Sequence, residues 1–219
     1  MYQEPEPRFA DRVDAGRSLA VRLEHLRGQR PVILGLPRGG VPVAYEVAHA
    51  LGAPLDVIVV RKLGVPWQPE LAMGAIGEGG ARVVDAEVLR LERIGEDLLA
   101  QVEEREAAEL LRRAQAYRVG REPEPIAGRT VVVVDDGIAT GSTARAACQV
   151  VRQRGAARVV LAAPVLPLEL VGALGEVADE VVWLCAPEPM FAVGYWYEDF
   201  DQLTDTEVVE LLARARTPS

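Results

Sequence analysis

Short apolar runs alternate with amphipathic stretches along most of this chain. Between 11 and 27, apolar Val13, Leu19, Ala20, Leu23 and Leu26 recur at helical spacing and Gly28 marks a stop, predicting a leading helix. Pro31 to Leu36 predicts a short buried strand. It ends in Pro37-Arg38-Gly39-Gly40, after which Val41 to Leu51 carries a helical period closed by Gly52. Leu55 to Val60 predicts the next strand, ending in Arg61-Lys62. Residues 64 to 80, broken by Pro66, Pro69 and several glycines, show neither period and read as a long loop. Residues 86 to 118 predict a charged helical region with a break near Gly95, and Glu109 stands at the favourable spacing from Arg113. Val131 to Val134 is a run of four β-branched residues, expected of a strand covered on both faces. Helix is predicted over Ala144 to Arg154, strand over Arg158 to Ala163, a short helix over Pro167 to Leu174 and strand over Glu180 to Leu184. Thr204 and Glu207 form a capping box for a terminal helix through Ala213. Strand and helix alternate, so the expected fold is α/β: an open parallel sheet flanked by helices, joined by right-handed crossovers.

Composition narrows the class. At 219 residues and 49% hydrophobic, the chain suits one α/β domain over 1–219 with an insertion at 86–118. That insertion is longer than the core needs, and is expected to cover a sheet edge or build a dimer contact. A net charge of −9 argues against a nucleic-acid or anionic-membrane partner. No apolar run has transmembrane length, and Met1 to Arg8 is polar and Pro-rich rather than a secretory leader, so a cytoplasmic protein is expected. Cys148 and Cys185 lack metal spacing and read as reduced, buried small hydrophobes; His25 and His49 fall on helices as surface or packing residues.

The chemistry concentrates at 131 to 143. A buried strand ends in two adjacent carboxylates, Asp135 and Asp136, and a turn of small and hydroxylated residues, Ala139, Thr140, Gly141, Ser142 and Thr143, opens a helix. Free N–H groups and the positive dipole end at such a helix start bind anions, and in open α/β sheets ligands lie beyond the C-terminal strand ends. Two carboxylates about 5 Å apart at an effective dielectric of about 20 repel by roughly 3 kcal/mol. They therefore call for sugar hydroxyls, a Mg²⁺ ion, or a Lys or Arg alongside. One end of the turn suits phosphate and the other a diol. Receiver domains and nucleotide hydrolases also present acids in a strand–turn–helix, whereas a Walker A pattern is absent.

A strand, two acids, three intervening positions, then Thr-Gly-Ser-Thr: Asp135, Asp136, Thr140, Gly141 and Thr143 resemble, residue for residue, the phosphoribosyl diphosphate (PRPP) loop of type I phosphoribosyltransferases. The segment Leu36 to Gly40 resembles the pyrophosphate loop of their purine-salvage members, with Arg38 at the basic position, Gly39 beside it and Pro37–Arg38 as the candidate for a cis peptide. The likeness covers most of residues 32 to 200.

The resemblance implies that the 5′-phosphate lies on Ala139 to Thr143 and the ribose on the catalytic acids Asp135 and Asp136. It places pyrophosphate near Arg38, Gly39, Arg61 and Lys62. A mobile lid at 64–80 would carry Glu70, or alternatively Glu78. Residues 186–204 resemble a base-binding hood, with Phe191 and Ala192 against a nucleobase-like acceptor. Mg²⁺ would be held mainly through PRPP and water, with no metal site of the protein's own. Ala139 replaces the carboxylate that 6-oxopurine enzymes carry, and the strand Val159 to Ala163 with its continuation lacks their Lys, so the acceptor stays unnamed. The implied activity is transfer of the phosphoribosyl group to a nitrogen nucleophile by a homodimer. A PRPP-sensing regulator on the same fold is the alternative.

Overall fold

The computed structural model describes residues 9–215, so Met1 to Arg8 lies outside the described residues. Five parallel strands form the main sheet: β1 (Val32–Gly35), β2 (Leu55–Val57), β6 (Thr130–Val134), β7 (Arg158–Val165) and β8 (Glu180–Cys185). They lie in the order β2-β1-β6-β7-β8. The Val run of β6 is apolar throughout because both faces are covered. Its alternate residues divide between two cores. Val132 and Val134 pack with Ile33 and the helices α1 (Arg12–Arg22), α2 (Gly40–Leu51) and α7 (Asp205–Arg214). Val131 and Val133 pack with Val32, Leu34 and α5 (Ser142–Gln153), beneath α6 (Leu170–Gly175). Cys148 sits in this second core as a free thiol, and burial raises its pKa to about 12.

Two predicted elements are redrawn. The leading helix stops at Arg22, and Glu24–Gln29 continues as a 3-10 turn closed by left-handed Arg30, not by Gly28. The strand expected over Leu55 to Val60 splits: β2 ends at Val57, and Val59 turns its N–H to the Glu78 carboxylate.

The larger correction concerns 64–80, which is not a loop. β3 (Val60–Val65), β4 (Gln68–Gly77) and β5 (Arg82–Val84) form a separate antiparallel sheet. Pro66 and Trp67 make the hairpin tip, and Trp67 Nε1 donates to Glu92 Oε2 at 2.9 Å. The register shifts between Leu63 and Val65, a bulge that bends the hairpin. Leu63, Val65 and Met73 are fully buried against Ile94, Leu99 and Val102. Those partners flank and begin α4 (Glu96–Arg118), which follows the short α3 (Ala86–Leu91) after the break at Gly95. The later half of α4 packs Leu110, Ala114 and Tyr117 into the core around α2 and α7.

Arg118, the last residue of α4, covers the edge of β2. It donates to Asp56 at 3.0 and 3.1 Å, to both Glu78 oxygens and to the Val57 carbonyl at 2.8 Å, and all three charged residues are buried. Glu78, the alternative lid acid, is thus a buried ion-pair partner fixing the second sheet to the first.

Candidate functional site

β1 and β6 are neighbours, yet the chain leaves them in opposite directions, β1 through α2 toward β2 and β6 through α5 toward β7. Their C-terminal ends therefore flank the switch point of the sheet, where a crevice opens between the two following loops. Both loops run into helices whose first turns receive no side-chain cap. At α5 the N-cap is Gly141 with φ 76, a left-handed conformation that suits glycine and turns the chain sharply into the helix. The Thr140 and Ser142 hydroxyls stand 2.8 Å apart beside it, and Ala139, Thr140 and Thr143 are exposed. The first-turn N–H groups of α5 thus face the crevice and suit a phosphate, whereas at α2 the Gly40 and Val41 N–H groups already donate to the Leu36 and Arg38 carbonyls at 3.0 and 3.2 Å and Pro42 has none.

The two loops touch at the acid pair. A side-chain carbon on Gly39 would collide with the Asp136 carboxylate, and one on Gly40 with the Val134 carbonyl. Close backbone approach therefore requires glycine at both. The Pro37–Arg38 peptide is cis, and the Arg38 side chain is exposed. Asp135 accepts the Asp136 N–H at 2.9 Å. Burial, followed by the neighbouring Asp136 charge, pushes the Asp135 carboxyl well above its ordinary range. Burial also raises Asp136, although Arg12 opposes it.

Arg12, on α1, is the cation beside the pair. Its Nε donates to Asp136 Oδ2 at 2.8 Å, a second nitrogen donates to the Asp201 carbonyl at 3.0 Å, and its guanidinium lies 3.9 Å from the centre of the Phe200 ring. The Tyr197 hydroxyl donates to the Asp136 carbonyl at 2.5 Å. Nothing in the sequence singled out Arg12, which is 124 positions from its partner. Tyr197 and Phe200 were legible only as members of an aromatic tail.

The remaining candidates are placed differently from expectation. Arg61 and Lys62 lie inside β3 and not at the end of a core strand. Arg61 pairs with Glu106 of α4 at 2.5 Å, and Lys62 pairs with Glu70 across the hairpin at 3.3 Å. Glu70 is 90% exposed on β4, so the cation expected at pyrophosphate, Lys62, and the acid expected on the lid pair with each other on the second sheet. Phe191 and Ala192 are exposed, with Phe191 edge-on to Tyr195 at 6.4 Å. Of the aromatic segment, Trp196 and Tyr197 are buried with Phe9. Among the described residues, no cluster of three or more His, Cys, Asp or Glu could hold a metal ion, and no helix is long and apolar enough to cross a membrane.

The same fold recurs in known proteins. Two proteins of Mycobacterium tuberculosis, strains CDC 1551 / Oshkosh and H37Rv, carry the provisional name phosphoribosyl transferase. Each is 56% identical over 207 residues, covering 94% of this chain and 47% of the relative. The chain thus spans about half the length of the curated relatives it matches. The crystal structure of TT1426 from Thermus thermophilus superposes with a TM-score of 0.88 at 47% identity, covering 94% of this chain and 98% of that one. Residues 10–182 match the phosphoribosyl transferase domain, a span holding Arg12, both crevice loops and the acid pair. With its parallel sheet and the acids at the switch point, the chain belongs to the type I phosphoribosyltransferase family.

Proposed function

We propose that this chain transfers the 5-phosphoribosyl group of PRPP to a nitrogen nucleophile, with a nucleobase as the acceptor class and pyrophosphate as the product. One observation carries the reading: a carboxylate pair lies between two helix starts that no side chain caps, at the switch point of a parallel sheet. In this reading the 5′-phosphate takes the N–H groups and hydroxyls of Thr140 to Thr143, and the ribose hydroxyls donate to the acid pair. The diphosphate lies over Arg38 and Gly39, where the exposed guanidinium and the positive dipole end of α2 favour negative charge. Arg61 and Lys62, expected near the pyrophosphate, are paired in the ligand-free chain with Glu106 and Glu70 on the second sheet. When bound, Mg²⁺ would offset diphosphate charge during departure of pyrophosphate. The acid pair leaves it held through PRPP oxygens and water, as suits an ion that dehydrates reluctantly. The protein's share is to orient the ribose and to surround the developing charge at C1 with fixed dipoles.

Ala139 motivates one second reading, a PRPP sensor without turnover, because an exposed alanine there offers no proton acceptor to an incoming base. Calorimetry with Mg·PRPP, followed by pyrophosphate release across a panel of nucleobases, separates the two. The transferase reading expects binding that weakens at least about tenfold in Asp135→Asn, and release dependent on one class of base. Binding without any release supports the sensor, and no binding removes both.

A further inference from the structure

Arg12 lies outside both crevice loops, yet it reaches the acid pair and the aromatic segment together. Its Nε bonds Asp136 Oδ2, another nitrogen bonds the Asp201 carbonyl, and Phe200 covers the guanidinium face. Both ends of the ion pair are largely buried, at 12% and 14% side-chain exposure. The backbone reinforces the junction. The Phe9 N–H donates to the Trp196 carbonyl at 3.1 Å, and the Glu198 and Asp199 N–H groups donate to the Phe9 and Ala10 carbonyls at 2.9 Å each. The start of α1 and residues 196–201 therefore form one unit, and Arg12 is its polar contact with the acid pair. Asp135 differs from its neighbour, since no cation among the described residues forms an ion pair with it.

From this geometry we infer that Arg12 is a positioning residue that holds Asp136 in place and ties the 196–201 segment to the donor crevice. The two acids then divide the work. Asp136, clamped between Arg12 and Gly39, braces the crevice, and Asp135 meets the ribose. A planar, stacked guanidinium with several donors suits three partners at once, whereas an ammonium can satisfy only one of them well. Arg12→Lys should therefore keep the ion pair while releasing Asp201 and Phe200. Arg12→Met loses all three contacts and leaves Asp136 with no cation.

The inference rests on the PRPP reading, and one experiment distinguishes their failures. Mg·PRPP affinity is measured by calorimetry for wild type, Arg12→Lys, Arg12→Met and Asp136→Asn, alongside hydrogen exchange of amides 194–201. We expect Arg12→Met to weaken Mg·PRPP at least about tenfold and Arg12→Lys to stay within about threefold of wild type, while both variants speed exchange at 196–201. The double variant Arg12→Met/Asp136→Asn should be no weaker than the worse single variant, because the two residues act as one unit. Wild-type binding that Arg12→Met leaves unchanged overturns the inference alone. So does a lower melting temperature with unaltered affinity, which is the mark of a purely structural contact. No binding by wild type overturns the PRPP reading and the inference with it.

Discussion

Replacing Arg118 with Met should test how the second sheet is held. Met matches the length of the Arg stem, so the change removes charge and donors while leaving little void. At about 3 Å and an effective dielectric of about 20, each of the two ion pairs is worth roughly 5 kcal/mol before desolvation. Desolvation of the three ions cancels much of that in the intact protein, but removing one partner leaves the others buried, and such losses run to about 3–5 kcal/mol. The damage should be uneven. Asp56 keeps the N–H groups of Val57 and Glu124, whereas Glu78 keeps the N–H of Val59. A loss of about 4 kcal/mol is a large part of the 5–15 kcal/mol typical of a folded chain, and for this size lowers the melting temperature by roughly 8–16 °C. Urea titration at neutral pH followed by circular dichroism measures it, and Glu78→Gln added to Arg118→Met should recover part of the loss. A decrease below about 1 kcal/mol would show that the triad contributes little, and would refute the reasoning.

Two other outcomes are expected. Asp135 titrates above the ordinary value of 3.8 in the folded chain, so between those values the folded state binds more protons than the unfolded state, and its contribution to stability declines as pH rises. Ligand-free Asp135→Asn should therefore melt above wild type at pH 7.5, with the gap closing near pH 4; equal melting at both pH values contradicts the assignment. Thr204 accepts the Glu207 N–H at 3.2 Å while the Glu207 carboxylate accepts the Thr204 N–H at 2.7 Å. Thr204→Ala should cost about 1 kcal/mol in denaturant, and a change within error would show that the cap is dispensable.

The core strands were legible because burial on both faces leaves uninterrupted apolar runs such as Val131 to Val134, and caps such as Gly52 and Thr204 announce their helices locally. The crevice loop after β6 was legible for a similar reason, its acids and small residues being consecutive. The second sheet was not. Leu63 with Val65, and Met73 with Ala75, do alternate as strands should, but Gly64, Pro66, Pro69, Gly74 and Gly77 interrupt the pattern and the bulge shifts its phase. Arg61 looked like crevice charge because nothing near it in sequence revealed Glu106, which arrives from a helix 45 positions later. Arg12 carried no signal at all, since an isolated Arg on an amphipathic helix is usually solvated. Interactions between distant side chains decided each of these cases.

The pairing of Gly35 with Val134 has a consequence for how the chain reaches its working state. The two crevice loops come from strands adjacent in space but about a hundred residues apart, so the complete crevice does not exist until that long closure is made. A chain still emerging from the ribosome with only its first hundred residues would carry half a crevice, one helix start without its facing carboxylates. Any ligand that spans both loops would act as a clasp on the finished closure. It would be captured only by completed molecules and would raise the melting point of the whole sheet, not of one local element.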